Sequence, residues 1–290
     1  RLVEHMRYHD KAVGRQDGIL EMVVDESTNL QINSIESHDD PIICDWVEFM
    51  TNRYIKPSSL DEVLILLPCS ARKPYSRSKS HKNFKNAIAH NAAHEVMITS
   101  PLGLVPRDLE AVWPAGRYDI PVTGDWNLQE VERVKSMINA LISRNKYRVI
   151  INHSSIEIDT EIPVINTRLG DRATSDQALT RLKSAVIDNV RMKKRNGTLV
   201  NLDTYRSISR LQFLNDDWLE NCDISGRFPR WKIMRDGEQI AMWAPERGSF
   251  SISKAGVAIL DACNSLRRIE ISDEQKGKGD VTLNILRSFD

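Results

Sequence analysis

The period of the hydrophobic pattern changes several times along this chain, and each change marks an element. PIICDWVEFMTNRY (41–54) carries apolar residues at helical spacing directly after Asp40 and Pro41, a good helix start. Pro57, Ser58 and Ser59 then break the pattern. VLILLPC (63–69) is an apolar run without alternation, the mark of a strand buried on both faces, as in parallel sheets. EVMITS (95–100), YDIPVT (118–123) and YRVIINH (147–153) are further strand candidates, with helical patterns at 81–92 and 127–144 between them. Strands alternating with helices predict an α/β layer structure with a mostly parallel sheet. Ligands of such sheets bind beyond the carboxyl ends of the strands, where Cys69, Ser100 and His153 are expected.

The flanks read differently. Residues 2–13 predict a short helix and the polar stretch 25–39 a connector. After Pro163, SDQALTRLKSAVIDNVRM (175–192) is amphipathic at helical period, and DTYRSISRLQFL (203–214) predicts a second helix with Asp203 as its cap. Beyond Gly226 the chain turns β-rich, and WKIMRDGEQIAMW places an Asp-Gly pair between two apolar runs, a hairpin signal. A short helix over 253–264 and two weaker strands follow. The expected division is therefore 1–57 as the tail of an amino-terminal region with a linker helix, 58–165 as the α/β core, 166–225 as a helical segment, and 226–290 as a small α+β domain.

Composition adds little at first. Lys+Arg and Asp+Glu both number 40 in 290 residues, so the net charge points to neither nucleic acid nor membrane. No apolar run has the length to cross a bilayer. Cys44, Cys69, Cys222 and Cys263 are far apart and form no CxxC pair, which argues against a disulfide framework or a cysteine zinc site and favours the cytoplasm.

Local charge changes the picture. From Val63 to His94 there is no Asp or Glu, while Arg72, Lys73, Arg77, Lys79, Lys82 and Lys85 fall there with three histidines. A basic loop at a strand end suits a polyanion, because phosphate contacts draw mainly on Lys and Arg; it also suits a solvated face. Cys69 in that loop is either a reactive thiol among cations or a small core residue, with His81 and Tyr75 as candidate acid–base partners. TSPLGLVPRDLE (99–110) offers Ser100, Pro101 and Gly103 as a turn that holds a base or phosphate, or as an ordinary strand-to-helix turn. In RYDIPVTGDW (117–126), Asp119 beside Tyr118 is a candidate general base, or the partner of Arg117 or Arg107. His153 reads as a structural histidine before a catalytic one.

Pro68-Cys69, Lys73-Pro74-Tyr75, Ser78 and His81 fill every defined position of PC-x3-KPY-x2-S-x2-H, and this stretch resembles the signature of the archaeal archaeosine synthase family. HEVMITSPLGLVPRDLE and YDIPVTGDW are similar to the same family's core, so the likeness runs from about Asn33 to His153. The resemblance implies a core similar to the uracil-DNA-glycosylase fold and a tRNA-modifying transferase. That enzyme adds the side-chain amine of free lysine to the nitrile of 7-cyano-7-deazaguanine in the tRNA D-loop, giving an amidine. A radical-SAM partner protein then cleaves the adduct. No ATP or other cofactor is called for. The family's amino-terminal barrel with its zinc site has at most a tail here, in residues 1–32, and the carboxy-terminal segment looks like the approach to, or beginning of, a PUA-like module. A homodimer is a candidate assembly, and no membrane is implied.

On this resemblance Cys69 either attacks the nitrile or walls the pocket, with Asp119 as general base or holder of the base edge and His81 as proton donor. Tyr75, Ser78, Ser100, Pro101, Gly103 and Tyr118 are expected around the base, and Lys73, Arg77, Lys79 and Arg107 on RNA phosphates. The alternatives are a tRNA-binding module without catalysis, and, from the fold alone, a base glycosylase.

Overall fold

The computed structural model describes residues 40–89, 92–116, 126–191, 197–227, 230–244 and 248–266, with strand segments at 6–7, 23–24, 30–31 and 118–119. The chain forms two compact units, one of Leu30–Leu211 and one in which Arg1–Asn29 joins Gln212–Asp290. Helical segments on both sides of the expected 58–165 core thus belong with it as far as Leu211. Strand β1 (Met6–Arg7) pairs antiparallel with β2 (Val23–Val24), in place of helix at those two positions. The rest of the helix expected over 2–13 lies outside the described residues.

In the larger unit a short β3 (Leu30–Gln31) precedes α1 (Pro41–Asn52), which starts as its sequence demands. The Asp40 carboxylate accepts the Ile42 N–H at 2.8 Å, and Pro41 occupies the first turn, where no N–H is needed. Strand β4 (Val63–Pro68), helix α2 (Lys79–Ile88) and strand β5 (His94–Thr99) make the first crossover unit. Strand β6 (Gly103–Pro106), the short β7 (Tyr118–Asp119) and α3 (Leu128–Arg144) lead to β8 (Val149–Asn152), β9 (Val164–Asn166) and α4 (Asp176–Asn189). The main sheet has the order β6-β5-β4-β8-β9; all its pairs are parallel except β5 with β6. The fold class is α/β with a mostly parallel sheet.

Strand β4 lies at the centre, and Val63 to Leu67 are fully buried. Each such side chain contributes about 1.5–3 kcal/mol of hydrophobic stabilisation, which is why the run shows no polar alternation. Helices α2 and α4 pack together, with α4 also on β8; α1 and α3 pack together, and both meet β6. Helix α3 opens with a capping box, in which Asn127 and Glu130 satisfy one another's backbone N–H groups.

Three differences from the sequence pattern have physical reasons. The turn after β5 leads into a strand, because Gly103 takes φ +71° and lets β6 fold back antiparallel, with Thr99 opposite Gly103. A Cβ at Gly103 would lie 2.2 Å from Met137 Sδ, so a side chain there would have to displace that methionine as well as hold a positive φ. The second helix begins earlier, as α5 (Gly197–Gln212), and Asp203 is an interior residue. Its carboxylate instead accepts the N–H of Ser59 at 3.2 Å, closing the turn that follows Pro57. Of YDIPVT, the described part of the strand is Tyr118–Asp119, paired in parallel with β3.

The smaller unit contains a four-stranded antiparallel meander: β10 (Asp223–Arg227), β11 (Arg230–Arg235), β12 (Glu238–Ala244) and β13 (Ser249–Ile252). Helix α6 (Lys254–Ala262) follows and packs on β12. Asp236 and Gly237, both at positive φ, form the two-residue turn between β11 and β12 that the Asp-Gly pair predicts. The two closing strands expected beyond this helix lie outside the described residues.

Candidate active site

Parallel register brings the site together. Pro68 is paired with Ile98, so the next residues, Cys69 and Thr99, emerge side by side at the carboxyl ends of β4 and β5. The Cys69 thiol is within hydrogen-bonding reach of the Thr99 hydroxyl. Thr99 Oγ1 is 2.7 Å from the Tyr118 hydroxyl, and Tyr118 bonds the Tyr75 hydroxyl through a short contact. Lys73 lies over the Tyr118 ring, its Nζ 4.1 Å from the ring centre. A thiol, three hydroxyls and an ammonium thus meet from three separate stretches of chain.

Their environments differ. Tyr75 and Tyr118 are buried, and burial holds both phenols above their ordinary pKa, so they stay protonated. Cys69 is only partly buried. Burial still pushes its thiol up, opposed by the Thr99 hydrogen bond and the Lys73 charge. The resting sulfur is therefore a protonated thiol in a residue that is not fully sealed from solvent.

Other expected site residues do structural work. Ser78 caps α2, its hydroxyl accepting the His81 N–H at 3.2 Å. His81 is fully buried, between Tyr75 and Phe84. Burial first, then the nearby Arg107 charge, lowers its pKa to about 3. The imidazole is sealed from solvent and accepts from Arg107 Nη2 at 3.1 Å, so it is placed as part of the packing behind Tyr75.

Arg107 is held by Glu95 and Glu110, each at 2.8 Å, with little of its side chain exposed. The structure thus places this guanidinium in a carboxylate cluster. Glu110 also accepts the Ser76 N–H at 2.9 Å, so this ion-pair cluster braces the loop that carries Tyr75. Ser100 donates to Glu130 of the α3 capping box, and Pro101 is buried beside it. Of the expected phosphate ligands, Arg77 and Lys79 are exposed, as are Arg72, Lys82 and Lys85. The Asp119 side chain lies outside the described residues. His153 is structural: it bonds Thr167 Oγ1 and the Ala173 carbonyl, both at 2.7 Å.

Thr99 was not singled out by its sequence context, which holds no motif position; its only signal is being the last residue of a buried strand. Among the described residues, no group of three His, Cys, Asp or Glu side chains is placed to hold a metal, and no helix is long and apolar enough to cross a membrane.

A family model described as a domain of unknown function, DUF5591, matches residues 43–186, the stretch that builds this site. The chain is 33% identical over 255 residues to archaeosine synthase subunit alpha of Thermoplasma acidophilum, covering 84% of this chain and 48% of that protein. The chain is thus a relative of the archaeosine synthases over most of its own length. Archaeosine synthase subunit alpha of Methanosarcina acetivorans is 32% identical over 226 residues, covering 70% of this chain and 36% of the relative. Archaeosine synthase of Haloferax volcanii is 30% identical over 252 residues, covering 80% and 41%. The chain thus spans less than half the length of each of these archaeosine synthases. A crystal structure of a protein of unknown function shares the fold, with a TM-score of 0.56 and 22% identity over 80% of this chain and 79% of that one.

Proposed function

We propose that this chain carries the nitrile chemistry of archaeosine biosynthesis, as a transferase that joins the side-chain amine of free lysine to 7-cyano-7-deazaguanine in the tRNA D-loop. The product is an amidine. The single observation that carries this reading is the partly buried Cys69 thiol near Lys73 at the carboxyl edge of the sheet, inside the region shared with the archaeosine synthases. A nitrile is electrophilic without activation, so neither ATP nor a leaving group on the base is required. Cys69 adds to the nitrile carbon to give a thioimidate, and the lysine amine then displaces the sulfur. Lys73 supplies positive charge beside the sulfur, and Asp119 is the proposed base that takes the proton from the lysine ammonium.

The exposed Arg77 and Lys79, on the loop and helix that follow Cys69, are proposed to hold tRNA phosphates around the extruded base. A partner protein that consumes the lysine adduct by radical chemistry completes the reading. The names of two relatives, each a subunit alpha, support a partner subunit.

The test is incubation with tRNA bearing the nitrile base and isotopically labelled lysine. Label on the tRNA is the expected result. Release of free base would make the protein a glycosylase, and binding without either event would make it an RNA-binding module; both outcomes overturn the proposal.

A further inference from the structure

Addition of a thiol to a nitrile consumes the sulfur and its proton together. The S–C bond forms, the C≡N triple bond becomes a double bond, and the nitrogen needs one proton. Direct transfer from sulfur to that nitrogen would run through a strained four-membered ring, whereas a hydroxyl between them opens it to six. We propose that Thr99 is a catalytic residue of this step: its hydroxyl takes the Cys69 proton and passes its own to the nitrile nitrogen. This rests on the reading of Cys69 given above.

Three observations place Thr99 in the role. It is the register neighbour of Cys69 on the adjoining parallel strand, so the two side chains leave the sheet on the same side. Its hydroxyl is near enough to the thiol to favour the ionised sulfur, and it sits 2.7 Å from Tyr118, whose ring lies under the Lys73 ammonium. It is 2% exposed, which keeps water from replacing it. Tyr118, joined to Tyr75, fixes the orientation of the Thr99 hydroxyl. Burial keeps both phenols and the thiol protonated at neutral pH, so the proton that the nitrogen requires is already in the cluster. In the second half the route reverses. The amine nitrogen bonds the carbon, the C–S bond breaks, and the amine's surplus proton returns through Thr99 to the sulfur.

The experiment compares two reactions of the same thiol. With nitrile-bearing tRNA and lysine withheld, the adduct on the Cys69 peptide is timed by mass spectrometry. Alkylation of that peptide by iodoacetamide is timed on its high-pH plateau, where no proton need be delivered to the electrophile. Thr99→Val is expected to slow the nitrile adduct about a hundredfold and leave the alkylation plateau unchanged, while Thr99→Ser retains most of the nitrile rate. In the unaltered protein, the nitrile reaction is expected to show a larger solvent deuterium effect than alkylation, a readout that needs no variant to fold. Equal slowing of both reactions by Thr99→Val, no slowing, a Ser variant as slow as Val, or equal isotope effects would each overturn the assignment. Lysine label transfer by the unaltered protein separates the two ideas. If label moves but Thr99→Val is as fast, only the relay falls; if no label moves, the transferase reading falls.

Discussion

The two ends of the main sheet carry similar side chains put to opposite uses. At the amino end, Tyr54, His94, Tyr147 and Asp108 form a buried chain. Tyr54 lies 2.9 Å from His94 Nε2 and 3.0 Å from Asp108, and the Tyr147 hydroxyl lies 2.6 Å from His94 Nδ1. The ring of His94 lies nearly parallel to both tyrosine rings and is joined to each through its edge. At the carboxyl end, Tyr75, Tyr118 and Thr99 form a comparable chain, but it finishes beside a partly buried thiol and a lysine. A buried polar network closed on itself rigidifies, because each group left unpaired there costs its desolvation. In the reaction proposed above, the same hydroxyls, ending beside the Cys69 thiol, become a proton path. The difference lies in where each network stops.

That contrast makes separable predictions. The largest concerns Cys69→Ala: lysine transfer to nitrile-bearing tRNA is expected to fall by about a hundredfold or more, with the urea midpoint unmoved. A variant that stays active would leave Cys69 as a pocket wall. Next is Tyr54→Phe, which strips the shared hydroxyl from His94 and Asp108. It is expected to cost about 1–3 kcal/mol in urea unfolding and to leave the alkylation rate of Cys69 unchanged. A matching loss of thiol reactivity would mean that the two ends are coupled.

Acid sharpens the comparison further. His94 is held neutral by burial and the Lys56 charge, with its pKa lowered from 6.5 to about 3. Between those values the unfolded chain binds more protons than the folded one. The contribution is therefore whole above pH 6.5 and is lost as pH falls towards 3. The slope is at most about 1.4 kcal/mol per pH unit for one such group. His81 adds the same dependence. Urea midpoints read between pH 7 and pH 4 should fall, and should fall less steeply in His94→Gln; parallel curves would contradict the placement. The smallest effect belongs to the rim. Lys79→Glu is expected to weaken tRNA binding severalfold and to lower the salt slope by about one, with lysine transfer at saturating tRNA preserved.

Most elements were legible because their causes are local. The unbroken run at 63–67 is the central strand, Asp40-Pro41 and Asn127 with Glu130 start helices, and Asp236-Gly237 turns the meander. Where a residue's use depends on a distant partner, reading failed. Asp203 looked like a cap because Asp often is one, but Ser59, far away in sequence, is what its carboxylate holds. Arg107 looked like a phosphate ligand, since nothing local reveals that Glu95 and Glu110 enclose it. His81 fills a motif position yet supports the tyrosine and phenylalanine around it, because the first turn of α2 faces inwards.

By itself the chain's order of residues determined the α/β class, the central strand and the signature around Cys69, because periodicity and fixed spacing are properties of neighbours. Only the tertiary structure decided that Thr99 sits beside that thiol and that His81 and Arg107 face a carboxylate cluster behind it. Strand register and packing choose which distant side chains share one edge of a sheet, and no spacing along a single segment encodes that choice.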